Sequence, residues 1–279
     1  MGFIVDEHLW EGGRVSNRVL CLRANNPSGM TYVGTNTWLV TEPGAAKCVV
    51  VDPAPSGGQV QRILDTCQQH GWEVGAIVAT HDHIDHIEGI PELAAATGAP
   101  VFAARHSEIS KLPGAEGITL LRLGRGRFAP FEDAPVFEVI PLPGHSTDSI
   151  GLLLLAEKSL FTGDVLFRHG PTVVFYPDGV LGNYYQTLNT LQQLVRYGEA
   201  VKFYPGHGCP IANPLQAIEA TREHRDDRLQ QVRSAIDAGT PAEPEALYGV
   251  VYAGTDPSVK FAAIRSIQAQ LEYLGKLPK

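Results

Sequence analysis

The sequence has few cysteines, and their spacing suits neither a disulfide framework nor a cysteine metal site. The four, Cys21, Cys48, Cys67 and Cys209, are irregularly spaced and include no C-x-x-C pair. A chain of 279 residues, 44% of them hydrophobic, is long enough to bury a core without cross-links. We therefore expect reduced thiols, as in a cytoplasmic protein.

Long hydrophobic runs and an excess of positive charge are also missing. No run reaches the roughly 18 apolar residues that suggest a membrane span, and residues 1–13 lack the basic-then-apolar order of a signal peptide. Lys and Arg number 22 against 30 Asp and Glu, for a formal net charge of −8. We expect a cytoplasmic protein without a membrane partner and without strong nonspecific affinity for nucleic acid.

Short β-rich runs alternate with helical patterns along most of the chain, which indicates an α/β (α+β) fold. The predicted strands are residues 32–40, 47–52, 75–80, 100–104, 118–123, 136–142, 149–156, 159–162 and 201–204. The predicted helices are residues 59–70, 91–97 and 183–197. Because several strands between residues 118 and 162 follow one another without a helix, we predict two mixed sheets flanked by helices.

The pattern changes after residue 212. Residues 215–238 form one long charged helical pattern, a breaker-rich G-T-P-A-E-P follows, and residues 245–252 and 256–274 are again helical. We therefore predict a catalytic domain of residues 1–212 and a small, mainly helical C-terminal domain of residues 213–279.

The strongest chemical feature is T-H-D-H-I-D-H, residues 80–86, directly after a predicted strand. In an extended segment, side chains two apart point the same way, so His81 and His83 can reach one metal ion. Asp85 and His86 come where the chain turns into a helix and face a second direction. Imidazole and carboxylate donors suit zinc, with iron or manganese as alternatives.

Three further loops offer metal ligands, each beside a glycine and just after a predicted strand. They are His145 in P-G-H-S-T-D, Asp164 in T-G-D and His207 in P-G-H-G. Each alone is commonly a surface or turn residue, but sites in α/β proteins lie at the carboxyl ends of strands. Together with the first cluster they predict two zinc ions that share a hydroxide.

These motifs, in this order, resemble those of the metallo-β-lactamase-fold hydrolases over roughly residues 31–214. The resemblance implies an αββα sandwich and divides the ligands between two ions. One ion takes His81, His83 and His145, the other takes Asp85, His86 and His207, and Asp164 bridges them. It further implies Asp85 and Asp164 as catalytic residues: the bridging hydroxide attacks the substrate while Asp85 holds its proton.

The tail resembles one subgroup of this family more closely. E-H-R-D-D-R at residues 223–228 and N-Y-Y-Q-T-L-N-T-L-Q-Q-L at residues 183–194 are similar to the lactamase-β-like protein 2 subgroup. That resemblance implies a winged-helix-like C-terminal domain and cleavage of single-stranded RNA. The basic signature with which glyoxalase II enzymes bind glutathione near their C-terminus is not seen, which argues against a hydroxyacylglutathione substrate.

Five other residues are candidates for supporting roles. Asp52 ends the strand at residues 47–52, where it can orient a ligand histidine or simply form a turn before Pro53. Four residues that follow Asp164 are candidates for the substrate cleft, with surface or core packing as the alternative for each. They are Arg168, His169, Tyr176 and Tyr185.

The function expected from these features is hydrolysis of an ester, thioester, lactone or lactam carbonyl of a small molecule. The alternative is a metal-dependent endoribonuclease or phosphodiesterase that acts on single-stranded RNA. A third hypothesis is a non-hydrolytic binder whose tail forms a homodimer.

Overall fold

Two mixed β-sheets form the centre of the protein in the computed structural model, which describes residues 10–168 and 170–277. The first sheet has seven strands in chain order: β1 (Gly12–Arg14), β2 (Val19–Arg23), β3 (Asn36–Val40), β4 (Lys47–Val51), β5 (Glu73–Val78), β6 (Val101–Ala104) and β7 (Leu120–Leu123). Neighbours from β1 to β4 are antiparallel, and those from β4 to β7 are parallel.

The second sheet has five strands in the order β12-β11-β10-β9-β8. They are β8 (Gly126–Phe128), β9 (Phe137–Pro141), β10 (Ile150–Leu154), β11 (Ser159–Gly163) and β12 (Lys202–Pro205). Strands β8 to β11 are antiparallel, and β12 is parallel to β11. Parallel pairing at this edge brings the carboxyl ends of β11 and β12 together.

In the described residues, seven α-helices accompany the sheets. They are α1 (Gly58–His70), α2 (Ile84–Ile87), α3 (Ile90–Thr97), α4 (Leu181–Arg196), α5 (Pro214–Asp237), α6 (Pro244–Val251) and α7 (Lys260–Tyr273). Helices α1 and α3 cover the outer face of the first sheet, and α4 and α5 cover that of the second. None of the helices in the described part of the chain is long and apolar enough to cross a membrane.

Strand β4 shows why the sequence folds into layers. Val49 and Val51 are buried in the core between the sheets, which also holds Trp38 and Phe161. Cys48 and Val50 belong instead to the core under α1 and α3. A strand that is buried on both faces needs apolar residues at every position, which explains the continuous run C-V-V-V.

The two-sheet prediction is confirmed, and the nine predicted strands correspond to β3–β7 and β9–β12. The sequence patterns do not predict β1, β2 and β8. Strands β1 and β8 have three residues each, too few to show a period of two, and β2 follows a polar turn that hides its start. The short helix α2 is not among the predicted helices, although the sequence indicates that the chain enters a helix near Asp85 and His86.

The tail is helical, as predicted, but its resemblance to a winged helix is not confirmed. Among the described residues after 212, the elements are α5, α6, a 3-10 turn at Pro257–Val259 and α7. No β-hairpin that would form a wing occurs in this described stretch. Val232, Leu247, Ile267 and Leu271 form a small core of their own. The domain boundary at residue 212 stays a prediction.

Candidate metal centre

Five strands end at the same edge of the two sheets, and each is followed by a candidate ligand or its supporting residue. Asp52 directly follows β4, and the cluster of residues 81–86 follows β5. His145 follows β9, Asp164 follows β11 and His207 follows β12. Because both sheets contribute, the ligands converge only when the sandwich is assembled.

The first group of ligands consists of His81, His83 and His145. One ligand atom of each lies within 4.8 Å of the others, and His145 Nε2 is 2.9 Å from His83 Nδ1. Burial lowers the pKa of His81 well below its usual value and lowers the pKa of His145 to about 4. Both rings are therefore neutral at pH 7 and keep a lone pair for a cation.

The second group consists of Asp85, His86 and His207, whose ligand atoms also lie within 4.8 Å of one another. Asp164 stands between the groups. Its Oδ1 is 3.2 Å from His86 Nε2, and its Oδ2 is 3.2 Å from His207 Nε2 and 3.9 Å from His145 Nε2. This carboxylate is thus in reach of histidines from both groups.

The outer nitrogen of every histidine has an oxygen partner, so that the inner nitrogen faces the centre of the cluster. These contacts are His81 Nδ1 to Thr80 Oγ1 (3.0 Å), His83 Nε2 to Asp178 Oδ2 (3.3 Å), His86 Nδ1 to Asp52 Oδ2 (2.9 Å), His145 Nδ1 to the Val173 carbonyl (2.6 Å) and His207 Nδ1 to the Gly34 carbonyl (3.3 Å). Ligand histidines in metal sites are typically held in this way.

Four inward atoms of the cluster are buried and make no hydrogen bond. They are His81 Nε2, His86 Nε2, His207 Nε2 and Asp164 Oδ1. His86 Nε2 lies 3.2 Å from Asp164 Oδ1 and His207 Nε2 lies 3.2 Å from Asp164 Oδ2, but neither pair has the angles of a hydrogen bond. Buried polar atoms without partners cost free energy. Cations between the two groups would satisfy all of them, so the residues fit a metal centre.

The charges within the cluster agree with this interpretation. Burial opposes ionisation of Asp164, yet His207 and His86 hold the pKa of its carboxyl well below the usual value. Burial also opposes protonation of His86 and His207, but Asp164 outweighs it. The pKa of His86 lies well above its usual value, and that of His207 rises to about 9. Protons thus balance the carboxylate without a metal, and metal binding would release them.

Asp52 is fully buried behind the ligands. Its Oδ1 accepts a hydrogen bond from the Thr80 backbone N–H (2.8 Å), and its Oδ2 lies 2.8 Å from Thr80 Oγ1 and 2.9 Å from His86 Nδ1. One carboxylate therefore fixes both the start of the T-H-D-H-I-D-H loop and the orientation of a ligand ring. The geometry supports the orienting role over the simple turn.

Gly206 allows the loop after β12 to reach the cluster. Its backbone N–H bonds to the Gly163 carbonyl (2.8 Å), and its carbonyl accepts from the Asn36 N–H (2.7 Å). A Cβ at this position would lie 2.6 Å from His86 Cε1 and closer still to Asp164 Oδ1. Only glycine fits between two ligand side chains at this distance.

A cleft of about 390 Å³ lies directly over the ligands. Asp85, His83, His145 and Asp164 form its polar floor, and Met30, Ile84 and Phe175 are the larger apolar residues of its walls. The loop at residues 28–31 contributes Ser28, Met30 and Thr31. The sequence reading missed this loop, because P-S-G-M-T carries no chemically distinctive residue.

The structure does not bring the proposed cleft tyrosines to this cleft. The Tyr185 hydroxyl bonds to Asp226 on α5 (2.6 Å) and its ring packs on Tyr273 of α7. Tyr176 packs against the core under α4. Arg168 Nη1 contacts Cys209 Sγ at 3.3 Å, and His169 lies outside the described residues.

Three residues near the centre were missed at the sequence level. Asp178 contacts His83 and accepts from the Thr147 backbone N–H (3.1 Å). Thr172 Oγ1 donates to the Asp164 carbonyl (2.6 Å) and lies 3.2 Å from His145 Nδ1. Buried Arg225 on α5 donates to the Thr172 carbonyl. Asp178 lies in Y-P-D-G, which is typical of a turn, so nothing in that motif signals this contact.

Comparison with known proteins assigns the family. The model of the metallo-beta-lactamase superfamily matches residues 30–207, more than half of the chain. The chain is 27% identical over 271 residues to a beta-lactamase-like protein 2 homolog of Caenorhabditis elegans, covering 94% of this chain and 86% of that protein. It is 30% identical over 227 residues to an atrochrysone carboxyl ACP thioesterase of Aspergillus fumigatus, covering 80% of this chain and 66% of that relative.

Known structures show the same fold. A metallo-beta-lactamase family protein of Thermus thermophilus superposes with a TM-score of 0.74 at 20% identity, covering 94% of this chain and 95% of that one. A beta-lactamase domain protein of Burkholderia ambifaria superposes with a TM-score of 0.75 at 21% identity, covering 95% of this chain and 87% of that one. The chain therefore belongs to the metallo-beta-lactamase superfamily, and it is a hydrolase of that superfamily with a His and Asp cluster that can bind metal.

Replacing Asp52 by Asn should weaken metal binding without removing a ligand. The amide keeps the shape but loses the charge that orients His86, so we expect affinity for one ion to fall by about 10–100-fold. Competition with a chelator measures this affinity, and circular dichroism checks the fold. Asp65→Asn, an exposed position on α1, is the matched control. Equal affinities in the two variants would contradict the role of Asp52.

Replacing Gly206 by Ala should displace Asp164 and His86, because the added methyl group overlaps both. We expect the purified variant to hold fewer metal ions per chain and to melt at a lower temperature, as measured by elemental analysis and thermal unfolding. Gly249→Ala is the control, since a Cβ there meets no atom within 4 Å. A Gly206→Ala protein with the full metal content would contradict the close approach of the backbone at Gly206 to the ligand side chains.

Proposed function

We propose that the protein hydrolyses a thioester or ester carbonyl of a small molecule with two divalent cations, zinc in the first place, bound to the seven converging side chains. The observation that carries this proposal is the set of buried, unpaired ligand atoms directly beneath an apolar-walled cleft. Lactones and lactams belong to the same chemical class, because each presents a carbonyl carbon to a nucleophile.

The metal ions would supply Lewis acidity, lowering the pKa of a water towards 7 and stabilising negative charge on the carbonyl oxygen. The donor set of five imidazoles and two carboxylates suits zinc and also accepts iron or manganese. Its three-histidine group carries no negative charge, which leaves a bound cation strongly electrophilic.

Asp85 is the carboxylate best placed to handle a proton. Its Oδ2 is 3.3 Å from His207 Nε2, its side chain is 25% exposed, and it lines the floor of the cleft. His207 lowers the pKa of Asp85 against the opposing effect of burial, so that the carboxylate is ionised at neutral pH. It can therefore take a proton from the attacking water and pass it to the leaving group.

Asp164 has a different task, because it is buried among the histidines and its carbonyl is held by Thr172. We assign it to hold the two groups of ligands in register. His83, His145 and their partners Asp178 and Val173 keep the other side of the centre in place. The cluster is therefore rigid before the substrate binds.

The thioester is our first choice among carbonyl substrates. The fungal relative is named as a thioesterase that acts on an acyl carrier protein, although this chain covers only 66% of its length. Met30, Ile84 and Phe175 offer an apolar wall for an acyl chain. A small acyl thioester fits both observations.

Cleavage of single-stranded RNA is the second candidate. Arg225 and Arg228 on α5 lie near the cleft and could contact phosphates. The net charge of −8 and the apolar cleft walls favour the small molecule. The cytoplasmic location and a homodimer stay predictions from the sequence.

Zinc-loaded protein should hydrolyse members of a panel of thioesters, esters, lactones and β-lactams. Asp164→Asn should reduce kcat/KM by about 10²–10³-fold, the usual scale for losing a major stabilising group. Asp237→Asn, at the exposed end of α5, is the control and should match the wild type. Full activity of Asp164→Asn would overturn the proposed centre.

Short single-stranded RNA belongs in the same panel to separate the two candidates. If RNA is the substrate, its binding should weaken steeply as salt rises, because phosphate contacts release counterions. We expect instead no RNA cleavage and a flat salt response. Metal-dependent RNA cleavage with inert thioesters would replace the first candidate by the second.

A further inference from the structure

A second cavity, of about 330 Å³, lies beside the cleft and has a positive lining. Helices α5 and α7 form one side, and the loops at residues 29–32 and 171–173 form the other. Its charged or titratable residues include His224, Arg225 and Arg228, and none of the described residues that line it is Asp or Glu. The catalytic roles proposed above involve none of these three side chains.

The three residues share one face of α5. Arg225 and Arg228 are three positions apart, and His224 and Arg228 are four apart, so their side chains are neighbours on the helix surface. No carboxylate forms an ion pair with Arg225 or Arg228 in the described parts of the chain, since the ion pairs found there all involve other groups. The two guanidinium groups are therefore not paired with a carboxylate, although Asp227 lies close enough to act electrostatically on His224.

Arg225 is a buried cation with an unused donor. It is only 4% exposed, and its guanidinium lies 5.1 Å from the Tyr184 ring centre. Its Nη2 donates to the Thr172 carbonyl, but its Nε is buried without a hydrogen-bond partner. Nδ1 of His224 is likewise buried and unpaired. Buried donors and charges without partners are costly, which points to a missing acceptor.

Arg228 is held at the same cavity by the C-terminal helices. Its guanidinium stacks on Tyr252 with 4.6 Å to the ring centre, and its Nη1 donates to the Val251 carbonyl (2.9 Å). These contacts fix the side chain before any ligand arrives. Apolar residues, among them Val259 and Ala263, form the remaining wall, and such walls strengthen an ionic contact by excluding water.

The cavity adjoins the proposed catalytic cleft. Met30 lines both, and the segment of residues 171–175 runs from one to the other. Thr172 connects the cavity with the metal centre. Its carbonyl accepts a hydrogen bond from Arg225, and its hydroxyl lies 3.2 Å from His145 Nδ1. One molecule can therefore extend from the metal centre to α5.

We propose that this cavity binds an anionic group, a carboxylate or a phosphate, on the substrate whose carbonyl lies over the metal centre. The link to a substrate rests on the proposed function, whereas binding of the anion does not. Arg225, His224 and Arg228 supply the donors, and the apolar wall receives the chain that carries the anion. The small volume suits one such group better than a strand of RNA, which needs an extended basic groove.

Binding of small anions tests the site directly. Monomethyl glutarate and methyl phosphate are titrated by calorimetry or NMR into the metal-loaded protein, Arg228→Gln and Arg233→Gln. Arg233 is exposed on the same helix and serves as the matched control. Anions bound at the metal ions affect all three proteins alike, so a difference between the variants reports the cavity. The tighter probe identifies the group as carboxylate or phosphate.

We expect Arg228→Gln to lower the affinity for the more tightly bound probe by about tenfold, the scale of a lost charged hydrogen bond. The affinity of Arg233→Gln should match that of the wild type. His224→Gln is a second variant and should weaken the same probe. Thermal unfolding confirms that each variant is folded. Equal affinities in Arg228→Gln and Arg233→Gln would overturn the anion site.

Kinetics then tests the link to the substrate. Glutaryl-N-acetylcysteamine is compared with its terminal methyl ester, and the ratio of their kcat/KM values is measured. Arg228→Gln should lower this ratio about tenfold through KM, and Arg233→Gln should leave it unchanged. If neither these compounds nor any member of the panel is hydrolysed but Arg228→Gln still weakens binding of the probe, the proposed function fails and the anion site stands. Hydrolysis with the same ratio in both variants would overturn the link.

Discussion

The structure depends on a charge balance at the edge where its two sheets meet. Five imidazoles and two carboxylates converge there, most of them buried, and four of their inner atoms have no hydrogen-bond partner. Water does not reach these atoms, so either protons or cations must neutralise Asp164. The outer contacts of the rings all point away from the centre, so the inner nitrogens face it. A pair of metal ions satisfies both the unpaired atoms and the charge.

The fold produces this convergence through strand ends rather than through one motif. Strands β4 and β5 come from one sheet, whereas β9, β11 and β12 come from the other. The core of Trp38, Phe137 and Phe161 between the sheets keeps these ends at a fixed separation. The two groups of ligands therefore depend on the packing of this core for their relative position. Gly206 marks the closest point, where the backbone itself passes between two ligands.

The ligand residues could be predicted from the sequence, because all of them follow apolar strands. Four lie in the single cluster T-H-D-H-I-D-H, and the other three each lie beside a glycine. The supporting contacts could not. Asp178 and Arg225 lie in a turn and in a charged helix, where such residues are common, and only the folded chain brings them to His83 and Thr172. Tyr185 shows the opposite error. It follows Asp164 along the chain, yet α4 directs its hydroxyl towards Asp226 on α5.

The C-terminal helices thus belong to the function as well as to the fold, since α5 reaches the centre through Thr172. The most direct test of the central claim is a crystal structure of the zinc-loaded protein with anomalous diffraction at the zinc edge. Two anomalous peaks about 3.5–4 Å apart are expected, one among His81, His83 and His145 and one among Asp85, His86 and His207, with Asp164 between them. A single peak, or zinc bound elsewhere while this cluster stays empty, would contradict the account.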